Sequence, residues 1–176
     1  MRITISGPPG SGKTTACRKL SEILGIRAVV FGEFFRKLAK ERGMTLAEFG
    51  ELAEHDPSID EMVDGMILAE ARESQDIILE SRLSAHMLTK NSIPAFRVYL
   101  EASPEVRTMR VGLREGESFE EVYRNTVERQ SSEAKRYKMY YDIDIEDKSV
   151  YDLIVNTDDL DPDQVVDRIL EGIKEC

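Results

Sequence analysis

Residues 7–15, GPPGSGKTT, combine three glycines with a lysine and two threonines in a spacing that binds phosphate groups. They match the pattern G-x-x-x-x-G-K-[ST], in which backbone N–H groups curl around a phosphate at the N-terminus of a helix. We expect Lys13 to reach the β- and γ-phosphates of ATP and the Thr14 hydroxyl to bind Mg²⁺. The predicted ATP-binding residues are Gly7, Pro8, Pro9, Gly10, Ser11, Gly12, Lys13, Thr14 and Thr15, with the N–H groups of Gly10, Ser11, Gly12 and Lys13 around the phosphate.

Two arginines are placed to bind a second phosphate. Arg36 lies one helical turn beyond Gly32, after the second predicted strand, and Arg82 follows the third predicted strand. Because the carboxyl ends of parallel strands meet at one edge of a sheet, both arginines should face the phosphate loop. The planar guanidinium group suits a phosphate mono- or dianion. The pattern therefore favours phosphoryl transfer to a second molecule, with Glu80 either holding a Mg²⁺-bound water or orienting Arg82.

The elements that must position these residues alternate along the chain. Short apolar strands separated by amphipathic helices predict a parallel sheet with helices on both faces, a three-layer α/β/α fold. We expect residues 1–176 to form a single domain. The five predicted strands span residues 2–6, 27–31, 76–81, 95–102 and 151–157. The predicted helices span residues 12–24, 32–42, 46–55, 59–73, 84–89, 104–114, 119–141 and 162–174.

Two segments lie outside the simple alternation of strand and helix. One is the helical pair within residues 43–75, and the other is the charged segment 115–141. Both can cover the carboxyl edge of the strands, where open α/β sheets bind their ligands. We expect the first segment to bind the acceptor and residues 115–128 to form a short lid that excludes water. This lid contains no cysteine, so zinc cannot clamp it.

Composition excludes several classes of protein. The formal net charge of −10 argues against a general nucleic-acid or anionic-membrane binder. No apolar stretch approaches the roughly 18 residues of a membrane span, and no signal sequence precedes the first strand. Cys17 and Cys176 lack the spacing of a metal site or a disulfide framework, and Cys17 should be a small buried hydrophobe. We therefore expect a cytoplasmic protein that binds no nucleic acid and no membrane. We also expect its partners to be small-molecule nucleotides and the protein to be a monomer, although nothing in the composition fixes the oligomeric state.

Beyond these local patterns, nearly the whole chain resembles the nucleoside monophosphate kinases, and most closely the archaeal-type cytidylate kinases. The resemblance runs through ISGPPGSGKTT, GEFFRKLAKERGMTLAEFGELAEHDPSIDEMVD, LESRL, EAKRYKMYYDIDI and YDLIVNT. The family's G-E-x-F-R pattern is matched by Gly32, Glu33, Phe35 and Arg36, whereas Ser81 replaces the glycine of its E-G-R pattern. The resemblance implies ATP-dependent phosphorylation of CMP, and of dCMP, to the diphosphate with release of ADP.

The resemblance also implies a catalytic role for four arginines. Nucleoside monophosphate kinases have arginines at the root of the lid, where they neutralise the transferring phosphoryl group. This role is carried to Arg110, Arg114, Arg129 and Arg136. In the open state we expect Arg110 and Arg114 to lie in water and to reach the phosphates only on closure.

Several polar residues are candidates for recognising the substrates. Asp60 and Asp64 lie one helical turn apart in the acceptor-binding segment, where carboxylates can accept hydrogen bonds from the N4 amino group of cytosine. Asp144 is a candidate for the adenine or ribose end of ATP, and Arg107 should be a surface residue. The predicted substrate-binding residues are Gly32, Arg36, Asp60, Asp64, Glu80 and Arg82.

Other activities remain open on the residues alone. Adenylate, uridylate and shikimate-like kinases share the phosphate loop and the arginines at the strand ends. A P-loop ATPase acting as an assembly factor is a further alternative. The arginines and the two cover segments disfavour it, because simple hydrolysis requires neither.

Overall fold

The computed structural model describes residues 1–116 and 118–175 of the chain. Five parallel strands form one sheet in the order β2-β3-β1-β4-β5. Ile5 of β1 lies opposite Glu80 of β3 and Val98 of β4, which fixes the register at the centre of the sheet. The strands are β1 (Arg2–Ser6), β2 (Arg27–Val30), β3 (Ile77–Glu80), β4 (Phe96–Glu101) and β5 (Leu153–Asn156).

Helices follow the strands much as the hydrophobic periodicity predicts. The helix after β2 begins at Phe31, one residue before its predicted start, so that strand and helix join without a loop. The helix that is predicted to start at residue 59 begins at Pro57, because the Asp56 side chain accepts the Ser58 N–H and caps the helix. The helices are α1 (Lys13–Leu24), α2 (Phe31–Glu41), α3 (Leu46–His55), α4 (Pro57–Glu73), α5 (Ser84–Lys90), α6 (Pro104–Glu115), α7 (Phe119–Tyr141) and α8 (Pro162–Glu175), with a 3₁₀ turn at Lys148–Val150.

The hydrophobic core lies on both faces of the sheet, which confirms the predicted three-layer fold. On one face, Ile3 and Ile5 pack with residues of α1 and α8 such as Leu20 and Ile169. The other face packs against α4, α5 and α7. Cys17 is fully buried in the first cluster, and burial raises the pKa of its thiol to about 12. The cysteine is therefore a packing residue, as predicted.

The helices α3 and α4, which we call the α3–α4 cover, have a small apolar cluster of their own. Phe49 and Ile59 are buried there and pack against Phe35 of α2. The cover begins with a capping box in which Thr45 and Glu48 bond each other's backbone N–H. It also contacts α7, since the Ser132 hydroxyl donates to the Gly50 carbonyl.

Within the segment predicted as a lid, residues 115–128, the structure shows the end of α6 and the first turns of α7. α6 ends at Glu115 and α7 begins at Phe119. Position 117 lies outside the described residues. Across the described ranges, 1–116 and 118–175, we find no helix that combines the length and the apolar character needed to cross a membrane.

Candidate active site

The phosphate loop joins β1 to α1 and lies against α6. Gly7 and Gly10 have φ values of +147° and +81°, which favour glycine. A Cβ atom at Gly7 would lie 2.1 Å from the Leu100 carbonyl oxygen, and one at Gly10 would lie 2.7 Å from the Arg107 carbonyl oxygen. Both the backbone conformation and the lack of space therefore require glycine at these two positions.

Lys13 lies at the start of α1 with its side chain folded over the loop. Its Nζ donates to the Pro8 carbonyl at 2.9 Å, and burial lowers the pKa of the ammonium to about 8. The Ser11 N–H also donates to the Pro8 carbonyl, at 3.3 Å. Lys13 and the Ser11 N–H therefore share one loop carbonyl as acceptor.

Thr14 and Glu80 form the oxygen-rich corner of the site. The Thr14 hydroxyl, in the first turn of α1, donates to Oε2 of Glu80, at the end of β3, at 2.9 Å. Oxygen donors of this kind suit Mg²⁺, which keeps several waters and binds substrate phosphates. Within the described part of the chain, no group of three or more His, Cys, Asp or Glu residues could hold a metal ion. A Mg²⁺ ion at this corner would therefore also need ligands from water and from the substrate phosphates. The pair thus fits the predicted Mg²⁺ site.

Arg82 and Arg129 share one buried carboxylate. Their Nε atoms donate to the two oxygens of Glu133, at 2.8 Å from Arg82 and 3.0 Å from Arg129. Although burial opposes ionisation, the charges of Arg129 and Arg82 keep the pKa of Glu133 below its ordinary value. Both bonds use Nε, so neither involves the terminal guanidinium nitrogens. Of the two predicted roles for Glu80, the contacts favour holding a Mg²⁺-bound water, because Arg82 is oriented by Glu133.

A second buried ion pair lies beneath the α3–α4 cover. Arg136 Nε donates to Asp60 Oδ2 at 2.6 Å, and both side chains are only 3% exposed. Arg136 Nη1 donates to the Ser132 hydroxyl at 2.7 Å. Burial raises the pKa of Asp60 in spite of the attraction of Arg136. The carboxylate is therefore an internal group of the site, held in one orientation.

Asp64 lies one turn further along α4. Its Oδ2 accepts a hydrogen bond from the Tyr141 hydroxyl at 3.0 Å. Burial, together with the neighbouring charge of Asp60, raises the pKa of Asp64 to about 8. Asp64 is therefore mainly protonated at neutral pH, which the sequence did not indicate.

One cleft, of about 150 Å³, brings most of the predicted residues together. On one side is the phosphate loop with Lys13, and on the other are α2, α4 and α7. Arg36 enters it with its Nη1 atom 3.5 Å from where a Cβ of Gly32 would lie. The cleft also places apolar side chains such as Phe35 beside Asp60 and Asp64, which we call the acidic pair. The predicted residues lining it are Pro9, Gly10, Gly12, Lys13, Thr14, Thr15, Gly32, Arg36, Asp60, Asp64, Glu80, Arg82, Arg114, Arg129 and Arg136.

A second cleft, of about 320 Å³, lies on the other side of the phosphate loop. Arg110 lines it and donates to the Thr157 hydroxyl at 2.9 Å and to the Thr157 carbonyl at 2.5 Å. The expectation that Arg110 lies in water is therefore wrong. Arg114 is exposed and, with Gly10, Gly12 and Thr15, lines both clefts.

The other wall of this second cleft is not predicted from the sequence. It is lined by Thr157, Leu160, Pro162 and Val165. The available signal was their position just after β5, at the same edge of the sheet as the phosphate loop. Asp144, the sequence candidate for this end of ATP, does not line either cleft, and its carboxylate accepts the Glu146 N–H at 2.9 Å.

Arg107 is also placed differently from the prediction. It is 7% exposed rather than a surface residue. Its guanidinium donates to the carbonyls of Ala102 and Pro9 and to the Gln130 side chain. The prediction of a surface arginine is wrong because Pro9 and Gln130, which are distant in sequence, and the nearby Ala102 surround it.

A parallel sheet with a phosphate loop after its first strand and arginines converging on that loop defines a P-loop kinase. A family model described as an AAA domain matches residues 6–128. The fold recurs in a shikimate kinase from Bacteroides thetaiotaomicron, with a TM-score of 0.62 and 17% identity over 99% of this chain and 98% of that chain. An uncharacterized protein from Eubacterium ventriosum superposes with a TM-score of 0.73 at 19% identity, covering 100% of this chain and 99% of that chain.

Sequence comparison narrows the class. A cytidylate kinase of Methanococcoides burtonii is 46% identical over 173 residues, covering 98% of this chain and 97% of that protein. A cytidylate kinase of Halobacterium salinarum is 42% identical, covering 98% of this chain and 89% of that protein. The chain belongs to the cytidylate kinase family.

Proposed function

We propose that the protein transfers the γ-phosphoryl group of ATP to CMP, and to dCMP, with release of ADP. The observation that carries this proposal is that the phosphate loop faces Arg36, Arg82 and Arg129 within one cleft, the first of the two described above. A phosphate loop alone serves many nucleotide-binding proteins, whereas a second set of cations opposite it serves a phosphorylated acceptor. The family relationship supports a pyrimidine monophosphate as that acceptor.

The donor binds on the side of the phosphate loop. The triphosphate lies along the loop and Lys13, and the adenine end enters the second cleft beside Arg110, Thr157 and Leu160. Thr14 would hold Mg²⁺ through its hydroxyl and Glu80 would hold it through a bound water, and the ion would supply positive charge to the phosphates. The residues shared by the two clefts, among them Gly10 and Arg114, mark where the donor meets the acceptor.

The acceptor phosphate binds to Arg36 and Arg82. An oxygen of the CMP phosphate attacks the γ-phosphorus in line, and the bridging oxygen leaves with ADP. No covalent intermediate with the protein is needed, so positioned cations lower the barrier. Arg129 is held by the same carboxylate as Arg82 and contributes from α7. Arg114 joins them when the segment around residues 115–128 closes and excludes water.

The base lies against the acidic pair of α4. Asp60 is fixed by Arg136, so it can accept a hydrogen bond from the N4 amino group of cytosine in one direction. Asp64 lines the same cleft and supplies a mainly neutral carboxyl group at pH 7. These contacts support a role for Arg136 in orienting the base-reading carboxylate, rather than the direct role on the phosphoryl group that the resemblance implied.

The decisive experiment measures ADP release with ATP and a panel of acceptors: CMP, dCMP, UMP, AMP and shikimate. We expect CMP and dCMP to be used with the highest kcat/KM. A higher kcat/KM for AMP, UMP or shikimate would overturn the substrate assignment, and ATP turnover that is equally fast without an acceptor would favour an ATPase. We further propose a cytoplasmic monomer that binds nucleotides and no nucleic acid, a choice of partner that the net charge of −10 supports. Sedimentation in the presence of both nucleotides tests the monomer.

A further inference from the structure

Arg107 is a buried cation that touches neither cleft and yet contacts the phosphate loop from behind. Its Nη1 donates to the Pro9 carbonyl at 3.2 Å and to Gln130 Oε1 at 3.1 Å. Its Nε donates to the Ala102 carbonyl, also at 3.1 Å. One guanidinium thus connects the phosphate loop, the end of β4 and the helix α7.

The bond to Pro9 determines which way the next backbone donor points. The chain has no cis peptide bond among its described residues, and in a trans peptide the C=O and the following N–H point in opposite directions. Holding the Pro9 carbonyl toward α6 therefore turns the Gly10 N–H away from α6. That N–H is one of the groups expected to bind the phosphate of ATP.

The neighbouring carbonyls of the loop are held in a similar way. Ser11 O accepts from the Thr157 hydroxyl at 3.2 Å. Because the peptide is trans, this contact directs the Gly12 N–H away from Thr157. Pro8 O accepts from Lys13 at 2.9 Å. The loop is therefore supported by side chains from α1, α6 and the segment after β5, and Arg107 holds the peptide between Pro9 and Gly10.

We propose that Arg107 is a positioning residue for ATP binding, which holds the Pro9–Gly10 peptide so that the Gly10 N–H faces the bound phosphate. Through Gln130, the neighbour of Arg129, it also ties this peptide to α7. Arg107 therefore bonds both the phosphate loop and α7. The inference rests on the proposed binding of ATP, but it does not depend on CMP being the acceptor.

The test uses the full-length protein labelled with ¹⁵N-glycine, which gives a sparse spectrum because the chain has 11 glycines. Pyrophosphate with Mg²⁺ is the probe, since it contacts the loop without a base. Arg107→Met removes the donors while keeping much of the side-chain length, and Arg107→Lys retains one donor. Arg168→Met, an exposed arginine on α8, is the matched control.

In Arg107→Met we expect the Gly10 amide resonance to shift in the free protein and the Kd of pyrophosphate to rise about 10- to 100-fold, as for a lost charge-assisted hydrogen bond. Arg107→Lys should recover part of the affinity, and the Kd of CMP should stay within about twofold. Gln130→Met should leave pyrophosphate affinity unchanged and lower kcat severalfold, because only the link to α7 is lost. Arg168→Met should match the parent.

The proposal is overturned if Arg107→Met and Arg107→Lys bind pyrophosphate as the parent does while only the melting temperature falls. That result would assign Arg107 to folding alone. If Arg107→Met does not fold, the same comparison of Arg107→Lys with the parent decides. If the parent binds pyrophosphate but does not phosphorylate CMP, the proposed function fails and the inference about Arg107 stands or falls on the binding data.

Discussion

The donor side and the acceptor side of the active site differ in what holds their ligand-binding groups in place. On the donor side, backbone N–H groups are directed by a short contiguous loop, with Lys13 folded across it. On the acceptor side, the groups are charged side chains held by buried counter-ions. Arg82 bonds a residue 51 positions away, and Arg136 bonds one 76 positions away.

This difference determines how each side responds to substitution. A loop whose donors are backbone N–H groups can lose a ligand-binding side chain such as that of Lys13 and keep its shape. A buried ion pair that loses one member leaves an uncompensated charge, which typically destabilises a protein by about 3–5 kcal/mol. Function and stability should therefore be separable on the donor side and coupled on the acceptor side.

Replacing Lys13 should give the largest loss of activity without loss of fold. Lys13→Met is expected to lower kcat about 10³-fold, because a cation at the β–γ bridge acts in the transition state. The melting temperature should stay at or above that of the parent, since burial disfavours the charged lysine and lowers its pKa to about 8. Steady-state kinetics and thermal unfolding check both, with Lys19→Met as control, since Lys19 is a partly exposed lysine on the same helix that lines neither cleft. Activity above about a tenth of the parent would contradict the phosphate-loop assignment.

Replacing Arg82 should affect activity and stability together. Arg82→Met is expected to lower kcat/KM for CMP about 10²- to 10³-fold, to leave the Kd of ATP within a few-fold and to reduce the free energy of unfolding by about 2 kcal/mol, as for a lost hydrogen bond to a buried charged group. Glu133 keeps Arg129 as its counter-ion in this variant, so adding Glu133→Gln should lower the stability further and restore no activity, because Arg129 then lacks its counter-ion. Urea unfolding of the single and double variants measures both changes. Equal stability of the two variants would show that the charge of Glu133 does not stabilise Arg129.

Arg114 lines both clefts and so tests the boundary between the two sides. Arg114→Lys is expected to lower kcat about 10²-fold with the Kd of ATP unchanged, since a lysine cannot bridge two phosphoryl oxygens. Arg110→Met should instead raise the Kd of ATP, because Arg110 is held by Thr157 beside the second cleft. Single-turnover kinetics and ATP titration separate the two effects. Rapid ATP hydrolysis by the parent without CMP would argue against transfer that depends on closure.

The acidic pair should set the preference for the base. Asp60→Asn is expected to change the ratio of kcat/KM for CMP and UMP about tenfold, because an amide offers a donor where the carboxylate accepts. Arg136→Met should change the ratio in the same direction, since it releases Asp60. Glu61→Gln, exposed on the same helix, is the control. A ratio that stays constant in both variants would remove the pair from base recognition.

A final expected effect, on stability and not on activity, is a pH dependence caused by Asp64. Its pKa is about 8 in the folded state against an ordinary value of 3.8, so the folded protein keeps a proton that the unfolded chain releases. This stabilisation is fully present below the unfolded pKa and is lost as the pH rises through about 8. The free energy of unfolding of Asp64→Asn, relative to the parent, should therefore increase by about 1 kcal/mol per pH unit between pH 5 and 8. Parallel stability curves for the two proteins would refute the raised pKa.

The same contrast explains how much the sequence could predict. The fold and the phosphate loop follow from contiguous patterns: apolar strands, helix caps and the glycine–lysine spacing at residues 7–15. Arg36 and Arg82 could be placed because strand ends converge at one edge of a parallel sheet. These rules need only local sequence and topology.

The remaining features depend on partners that are distant in sequence. Arg107 reads as a surface residue because Pro9 and Gln130 lie 98 and 23 positions from it. Glu133 gives no sign of binding both Arg82 and Arg129, since its helical spacing indicates only the second. The wall formed by Thr157 and Leu160 is missed because small polar and apolar residues in a loop carry no distinctive pattern.

The carboxylate shared by Arg82 and Arg129 also has an evolutionary consequence. Any lineage that loses Glu133 must pass through a protein in which Arg82 and Arg129 both lack their counter-ion. Variants of this kind are disfavoured, so substitutions at the three positions are expected to occur together. A substitution at one position becomes neutral only after a compensating substitution at another. The phosphate loop is constrained residue by residue, whereas the acceptor side is constrained by combinations. A family of kinases could therefore diversify its acceptors through paired replacements in α4 and α7 while the loop stays the same.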